Sequence, residues 1–287
     1  MARNREKLTS LTRQVQTALD NKLAIGQSKH LDKMRGTAQD KIYSWETYRS
    51  YMKHNNYFVA YCKEQYTCKT LEQCRPYVDE WLKLRSENGL SAYTQKLEAS
   101  ALAKMYGCST RDFIKTDVRH RVDISRSRGE KARDYHFSEE RHKDLVEFCR
   151  STGLRRAELK ALTGDKLLEK EGQYYIKVDA GSKGGRYREA PIVGDVQSVI
   201  NRMNSVGTGK VFDKIPNGAD IHSYRSNYCT SVYKAHERDV KTLERSEVYC
   251  CRGDLKGTWY DKKAMEVASN ALGHNRISVI AEHYIRG

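Results

Sequence analysis

Leu272-Gly273-His274-Asn275-Arg276-Ile277-Ser278-Val279-Ile280-Ala281-Glu282-His283-Tyr284 is the stretch on which the reading of this 287-residue chain turns. Taken alone, a histidine behind Leu-Gly reads as the cap of a helix end. A tyrosine alone means little in a chain that has 19 of them. What gives Tyr284 weight is what stands before it. Working backward, His222-Ser223-Tyr224-Arg225 sets an imidazole and a guanidinium three residues apart, on one face if the segment is helical. Gly181-Ser182-Lys183-Gly184-Gly185 puts a lysine in a small-residue turn, and Thr152-Gly153-Leu154-Arg155 puts an arginine just after a helix-stopping glycine. Tyr260, the nearest rival to Tyr284, precedes His274 and so falls out of this order.

Each signal has a bland explanation: a solvated lysine, a surface Arg–Glu pair, a chance His-x-x-Arg in a basic protein. The ordered set Arg155, Lys183, His222, Arg225, His274, Tyr284 has a common chemistry. Guanidiniums fork onto phosphate oxygens, imidazoles exchange protons near neutral pH, a lysine on a turn protonates a leaving oxygen, and a tyrosine can become covalently attached. Glu158, one turn after Arg155, would orient that guanidinium from behind. Arg156 is the neighbouring alternative, and Arg186 and Arg188 offer further charge from the lysine turn.

Composition narrows the partner. With 52 Lys and Arg against 37 Asp and Glu, the formal net charge is +15, which favours a polyanion, most simply nucleic acid. No run approaches 18 apolar residues, so no membrane span is expected. The Met-Ala-Arg-Asn-Arg-Glu-Lys start lacks an apolar core of the secretory kind, which leads to the expectation of a cytoplasmic protein. The cysteines (Cys62, Cys68, Cys74, Cys108, Cys149, Cys229, Cys250, Cys251) form no Cys-x-x-Cys pair, so no metal site is expected and reduced thiols are.

Periodicity gives the organisation. Leu8, Leu11, Val15, Ala18, Leu19 and Leu23 make an amphipathic helix ending near Gly26, taken as an arm over residues 1–35 that packs on its own domain or on a neighbour. Residues 36–115 read as all-helical, with stripes at Ile42/Trp45/Tyr48/Tyr51/Met52, at Tyr77/Val78/Trp81/Leu82/Leu84 after Pro76, and at Tyr93/Leu97/Leu102/Met105 before Gly107. Their aromatics are expected in a core, and their outer lysines and arginines on DNA phosphates. The Arg-rich stretch 116–136 reads as a basic linker, with Arg119, Arg126 and Arg128 placed to follow a DNA backbone, and Arg186 and Arg188 of the lysine turn are expected on DNA as well. From Phe137 to the end a second domain is expected. A helix opens near Ser138 and stops at Gly153, and another starts at Arg155. Strands Gln173–Val178 and Tyr187–Val193 form a hairpin, and helices follow from Ile221 onward. The fold class is therefore mainly α with a small β-sheet.

Residues 137–287, with Thr-Gly-Leu-Arg, the strand–lysine hairpin–strand, His-x-x-Arg and Leu-Gly-His…Tyr in that order, resemble the catalytic domain of the tyrosine recombinases of the phage-integrase family. The preceding helical segment is similar in composition and placement to that family's core-binding domain. The resemblance implies cleavage and rejoining of DNA through a 3′-phosphotyrosine. Arg155, Arg225 and His274 would bind the phosphate, Tyr284 would attack, His222 would assist proton removal and Lys183 would protonate the 5′ oxygen, without metal, cofactor or ATP. It implies duplex DNA with inverted-repeat crossover sites, a homotetramer on synapsed DNA, a Holliday-junction intermediate, and integration or excision of a mobile element, with any excision helper unidentified. Two departures stand out: His274 to Tyr284 is ten residues rather than nine, and only three residues follow Tyr284, where many relatives carry a docking helix. A type IB topoisomerase, a hairpin telomere resolvase, or a DNA-binding relative without activity are the alternatives.

Overall fold

A computed structural model describes residues 9–120, 137–182 and 187–285, and the chain divides into two compact units, Met1–Ile124 and Ser125–Gly287. The first unit is helical. It comprises α1 (Leu11–Asp20), α2 (Lys29–Met34), α3 (Trp45–Tyr66), α4 (Leu71–Cys74), α5 (Val78–Glu87) and α6 (Ala92–Tyr106). Hydroxyl caps set the starts: Ser10, Ser44 and Ser91 accept from Arg13, Thr47 and Thr94 amides, and Thr70 forms a reciprocal box with Gln73. Gly107, at φ 65°, ends α6 where the sequence placed the stop.

The first helix packs on its own unit, one of the placements that periodicity left open. Leu11, Val15 and Leu19 lie in the same core as Phe58, Val78, Trp81 and Leu102. Gln14 ties α1 to the turn before α4, donating to the Lys69 carbonyl (2.9 Å) and accepting from the Leu71 amide (3.1 Å). Periodicity shows that a face is buried, not what covers it. Burial of three such aliphatic side chains contributes about 1.5–3 kcal/mol each. Trp81 and Leu102 are core, as expected, whereas Trp45, Tyr93 and Leu97 are exposed, and Phe58 and Ala99, outside the expected stripes, are buried. The expected linker begins later than Thr116: Asp117 accepts from Ser86 Oγ (2.7 Å) and from Gln95, and its amide donates to Gln95 Oε1 (3.1 Å). Residues 121–136 lie outside the described segments.

The second unit comprises α7 (Lys143–Thr152), α8 (Arg156–Ala161), β1 (Leu167–Lys170), β2 (Gln173–Val178), β3 (Arg188–Pro191), α9 (Val196–Val206), α10 (Ile221–His236), β4 (Val248–Cys250), β5 (Trp259–Asp261), α11 (Lys262–Leu272) and α12 (Ser278–His283). The hairpin β2–β3 is present and gains an antiparallel neighbour, β1, with Leu167 opposite Ile176 and Ile176 opposite Ala190. α7 starts at Lys143 rather than Ser138, because Ser138 Oγ holds the Arg141 amide (3.3 Å) in a turn that precedes it. The helices expected from Ile221 onward are interrupted by the antiparallel pair β4–β5.

α10 organises this unit. Its first turns, with Ile221 and Tyr224, close one core against α7, α9 and the sheet; Tyr228, Cys229 and Val232 close another against α11 and α12. The helix thus forms a wall shared by both cores, and its residues between the two, Arg225 and Ser226, are buried polar groups. No described helix is long and apolar enough to cross a membrane.

Candidate active site

Gly153 ends α7 at φ 59°, and a Cβ there would overlap the Tyr228 ring, so conformation and close approach to α10 both demand glycine. Leu154 is buried, and Arg155 becomes the N-cap of α8. The two consecutive arginines then diverge. Arg156 donates to the carbonyls of Ile215 (3.4 Å), Pro216 (2.8 Å), Asn217 (3.3 Å) and Ala219 (2.6 Å), which commits it to holding that loop. Arg155 turns the other way. Its amide and its Nη1 reach Glu158 at 2.7 and 2.8 Å, its Nη2 reaches the Leu272 carbonyl at 3.4 Å, and its side chain remains 25% exposed.

Glu158, 2% exposed, accepts a second guanidinium: Arg188 Nη1 on Oε1 (2.8 Å) and Nη2 on Oε2 (2.7 Å). Burial alone would raise the carboxyl pKa, but the Arg188 and Arg155 hydrogen bonds and charges outweigh it and pull it from 4.5 to about 2. Arg188 corrects an expectation. Read as a DNA-facing charge of the hairpin, it is 8% exposed and fully engaged, its Nε donating to the Ala271 carbonyl (3.2 Å). It starts β3 pointing into the unit, and a guanidinium so placed is stable only against a carboxylate.

α10 begins at Asp220, whose side chain accepts from the Ser223 amide (3.1 Å). The i, i+3 spacing then works as the sequence predicts: His222 is exposed near the helix start and Arg225 is buried one turn on. Arg225 donates to the carbonyls of Gly153 and Leu272, and its Nε stands 3.4 Å from the Tyr284 hydroxyl. Burial lowers its pKa to about 10, which leaves it a cation throughout the neutral range. Gly273 caps α11 at φ 69°, with a would-be Cβ 2.9 Å from Arg188 Cδ, and turns the chain so that His274 Nε2 lies 3.2 Å from the Tyr284 hydroxyl. Burial, then the charges of Arg225, Arg155 and Arg188, lower the His274 pKa from 6.5 to about 4, so its ring is neutral at pH 7.

Tyr284 follows α12 directly. Its carbonyl accepts from Ser226 Oγ (2.6 Å), its ring is 5.3 Å from the His222 ring and 5.2 Å from the His274 ring, and the Arg225 guanidinium stands 5.6 Å from the ring centre. The ten-residue interval is spanned by a turn and the short helix α12, and the hydroxyl still meets Arg225 and His274. The structure therefore brings Arg155, Arg225, His222, His274 and Tyr284 together, with Glu158 behind Arg155. The imidazole within hydrogen-bonding distance of the hydroxyl is His274; His222 contacts the ring. Lys183, Arg186, Arg126 and Arg128 lie outside the described residues, and Arg119, in the first unit, sits 5.2 Å over the Tyr93 ring. Sequence reading missed Ser226 and the inward role of Arg188, for neither of which composition or spacing gives a signal. Among the described residues no group of three or more His, Cys, Asp or Glu is arranged to hold a metal ion.

Chemically, a tyrosine hydroxyl meets Arg225 and His274, and behind them Arg155 and Arg188 share one buried carboxylate. Arg155, Arg188 and Arg225 against Glu158 leave a net charge of about +2 in a largely buried setting, where fixed donors act strongly on an anion.

No family model matches the chain, and no curated protein does. Solved structures do. The XerH site-specific recombinase bound to palindromic difH substrate, a post-cleavage complex, matches with TM-score 0.51 at 13% identity, covering 96% of this chain and 91% of that one. Its pre-cleavage complex matches at 0.49 and 14%, over 98% and 96%. The Tn1549 transposon integrase in complex with circular intermediate DNA matches at 0.48 and 14%, over 97% and 96%. The likeness to the first of these is one of fold: the chain has the tyrosine recombinase and integrase fold, mainly helical with a small antiparallel sheet.

Proposed function

We propose that the chain is a site-specific DNA recombinase that cuts and rejoins strands through a covalent 3′-phosphotyrosine on Tyr284. The observation that carries this reading is the position of the Tyr284 hydroxyl, 3.2 Å from His274 Nε2 and 3.4 Å from Arg225 Nε, beside the partly exposed Arg155. In the proposed reaction the phenol oxygen attacks the phosphorus, and the phenol proton passes to neutral His274. The charge growing on the non-bridging oxygens is taken by the outer donors of Arg155 and Arg225, already held by carbonyls and Glu158, so little reorganisation is needed. His222 at the rim adds a further donor to the phosphate. The bond from phosphorus to the 5′ oxygen breaks, and Lys183 supplies that oxygen's proton. The phosphotyrosine conserves the bond energy, so attack by the 5′ hydroxyl of another strand completes the exchange without ATP.

Strand exchange through a Holliday junction, four protomers on two duplexes with inverted-repeat sites, and integration or excision of a mobile element belong to the same proposal. Its support is the fold, the +15 charge and the converged site. The test offers nicked duplexes cut from the DNA flanking the gene and looks for a denaturant-resistant adduct. Junction formation between two duplexes is expected; relaxation of a supercoiled plasmid without any junction would favour a topoisomerase.

A further inference from the structure

The charge count around Glu158 is one that stability alone does not explain. One buried carboxylate, Glu158, holds two guanidiniums, and a third, Arg225, shares the Leu272 carbonyl with Arg155. A buried ion pair is weak evidence for stability, because the cost of removing ions from water offsets most of their attraction. A second arginine on one acid adds like-charge repulsion to that cost. A single Arg155–Glu158 pair would be cheaper, but it would be neutral, and Arg155 would spend its fork on the acid.

Arg188 changes that balance. It occupies both oxygens of Glu158, at 2.8 and 2.7 Å, so Arg155 keeps only one side-chain contact with the acid, through Nη1. Its Nε holds the Ala271 carbonyl, and its stem packs where a Cβ on Gly273 would stand, so the turn that delivers His274 is built around it. We propose that Arg188 is a positioning residue for strand cleavage. By engaging Glu158 on both oxygens it leaves Arg155 with uncompensated charge and an open edge for the scissile phosphate, and it fixes the Ala271–His274 turn from behind. It is not a DNA contact. The proposal rests on the recombinase reading for its substrate, though not for its electrostatics.

The experiment compares the parent chain with Arg188→Met, Arg188→Lys and the double variant Arg188→Met with Glu158→Gln. Two readouts are taken beside the thermal midpoint: the single-turnover rate of adduct formation on the nicked duplexes, and binding of orthovanadate followed by the His274 ring signals. Arg188→Met is expected to slow adduct formation by about 10- to 100-fold, as loss of a supporting group does elsewhere. It should weaken vanadate binding in parallel, because Glu158 then closes on Arg155. Arg188→Lys, with the charge but not the fork, should fall between the two. Removing the acid as well should return much of the rate and of the vanadate affinity, without raising the thermal midpoint to the parental value. A double variant as slow and as weakly binding as Arg188→Met, or rates that follow the thermal midpoint through the series, would overturn the proposal. If the parent chain forms no adduct, the recombinase reading fails, while the vanadate comparison still decides the role of Arg188.

Discussion

Each unit buries a glutamate between basic side chains, and the two arrangements differ in what they leave over. In the first unit Glu98, 1% exposed, receives Arg85 through Nε (3.0 Å) and Nη2 (3.0 Å) and His54 through Nδ1 (3.1 Å), while Arg85 stacks on Trp81 at 4.8 Å. One acid meets one permanent cation, and the guanidinium is spent on packing and pairing. In the second unit Glu158 meets two permanent cations, and the less buried of them, Arg155, faces the site of Tyr284. The same ingredients balance in one place and leave an excess of positive charge beside Tyr284 in the other.

The largest expected effect separates the two outright. Arg225→Ala removes a donor at the site, takes from the Gly153 carbonyl its side-chain donor and leaves the Leu272 carbonyl to Arg155 alone. Adduct formation should drop by about 10²–10³-fold, whereas Arg85→Ala should leave the rate per folded molecule unchanged and lower only the unfolding midpoint. Equal loss of rate in both would erase the distinction. Next, Glu98→Gln and Glu158→Gln should each cost about 3 kcal/mol in denaturant unfolding, but only Glu158→Gln should also change the cleavage rate.

Acid sharpens the contrast further. The Glu158 pKa is depressed from 4.5 to about 2, so its contribution is complete above pH 4.5 and is lost as pH falls toward 2. A shift of that size corresponds to about 3 kcal/mol. His274 acts earlier: held neutral with a pKa near 4, it opposes folding as the unfolded chain takes up a proton between pH 6.5 and 4. Unfolding free energy measured from pH 7 to 3 should thus fall in two steps, and His274→Asn should remove the upper one. The smallest effect is local. Ser226→Ala loses one buried hydrogen bond to the Tyr284 carbonyl, about 1 kcal/mol, and should slow cleavage modestly.

How far this contrast was readable beforehand depends on the range of the interactions. His222 and Arg225 were legible because helical spacing fixes their shared turn, and Gly153 and Gly273 because positive φ asks for glycine. The hairpin β2–β3 was legible from alternation, but β1 was not: Leu-Leu-Glu-Lys has no alternation and becomes a strand only through its partner. The three-residue strands β4 and β5 fail for the same reason. The inward path of Arg188 was illegible, since an arginine in a basic hairpin reads as surface until the distant Glu158 and Ala271 claim it. The turn of Arg156 away from Glu158 was likewise illegible, since the carbonyls that hold it lie some sixty residues away. Periodicity left open what covers the first helix, its own domain or a neighbour, and Leu11, Val15 and Leu19 decide for its own unit.

In the proposed reaction the charge gathered in the second unit serves an attack by Tyr284. The most direct measurement is peptide mapping of the denaturant-resistant adduct formed on the nicked duplexes, in the parent chain and in Tyr284→Phe. A nucleotide-modified peptide containing Tyr284 is expected in the parent and no adduct in the variant. An adduct on another tyrosine, or one that persists in Tyr284→Phe, would contradict attack by Tyr284.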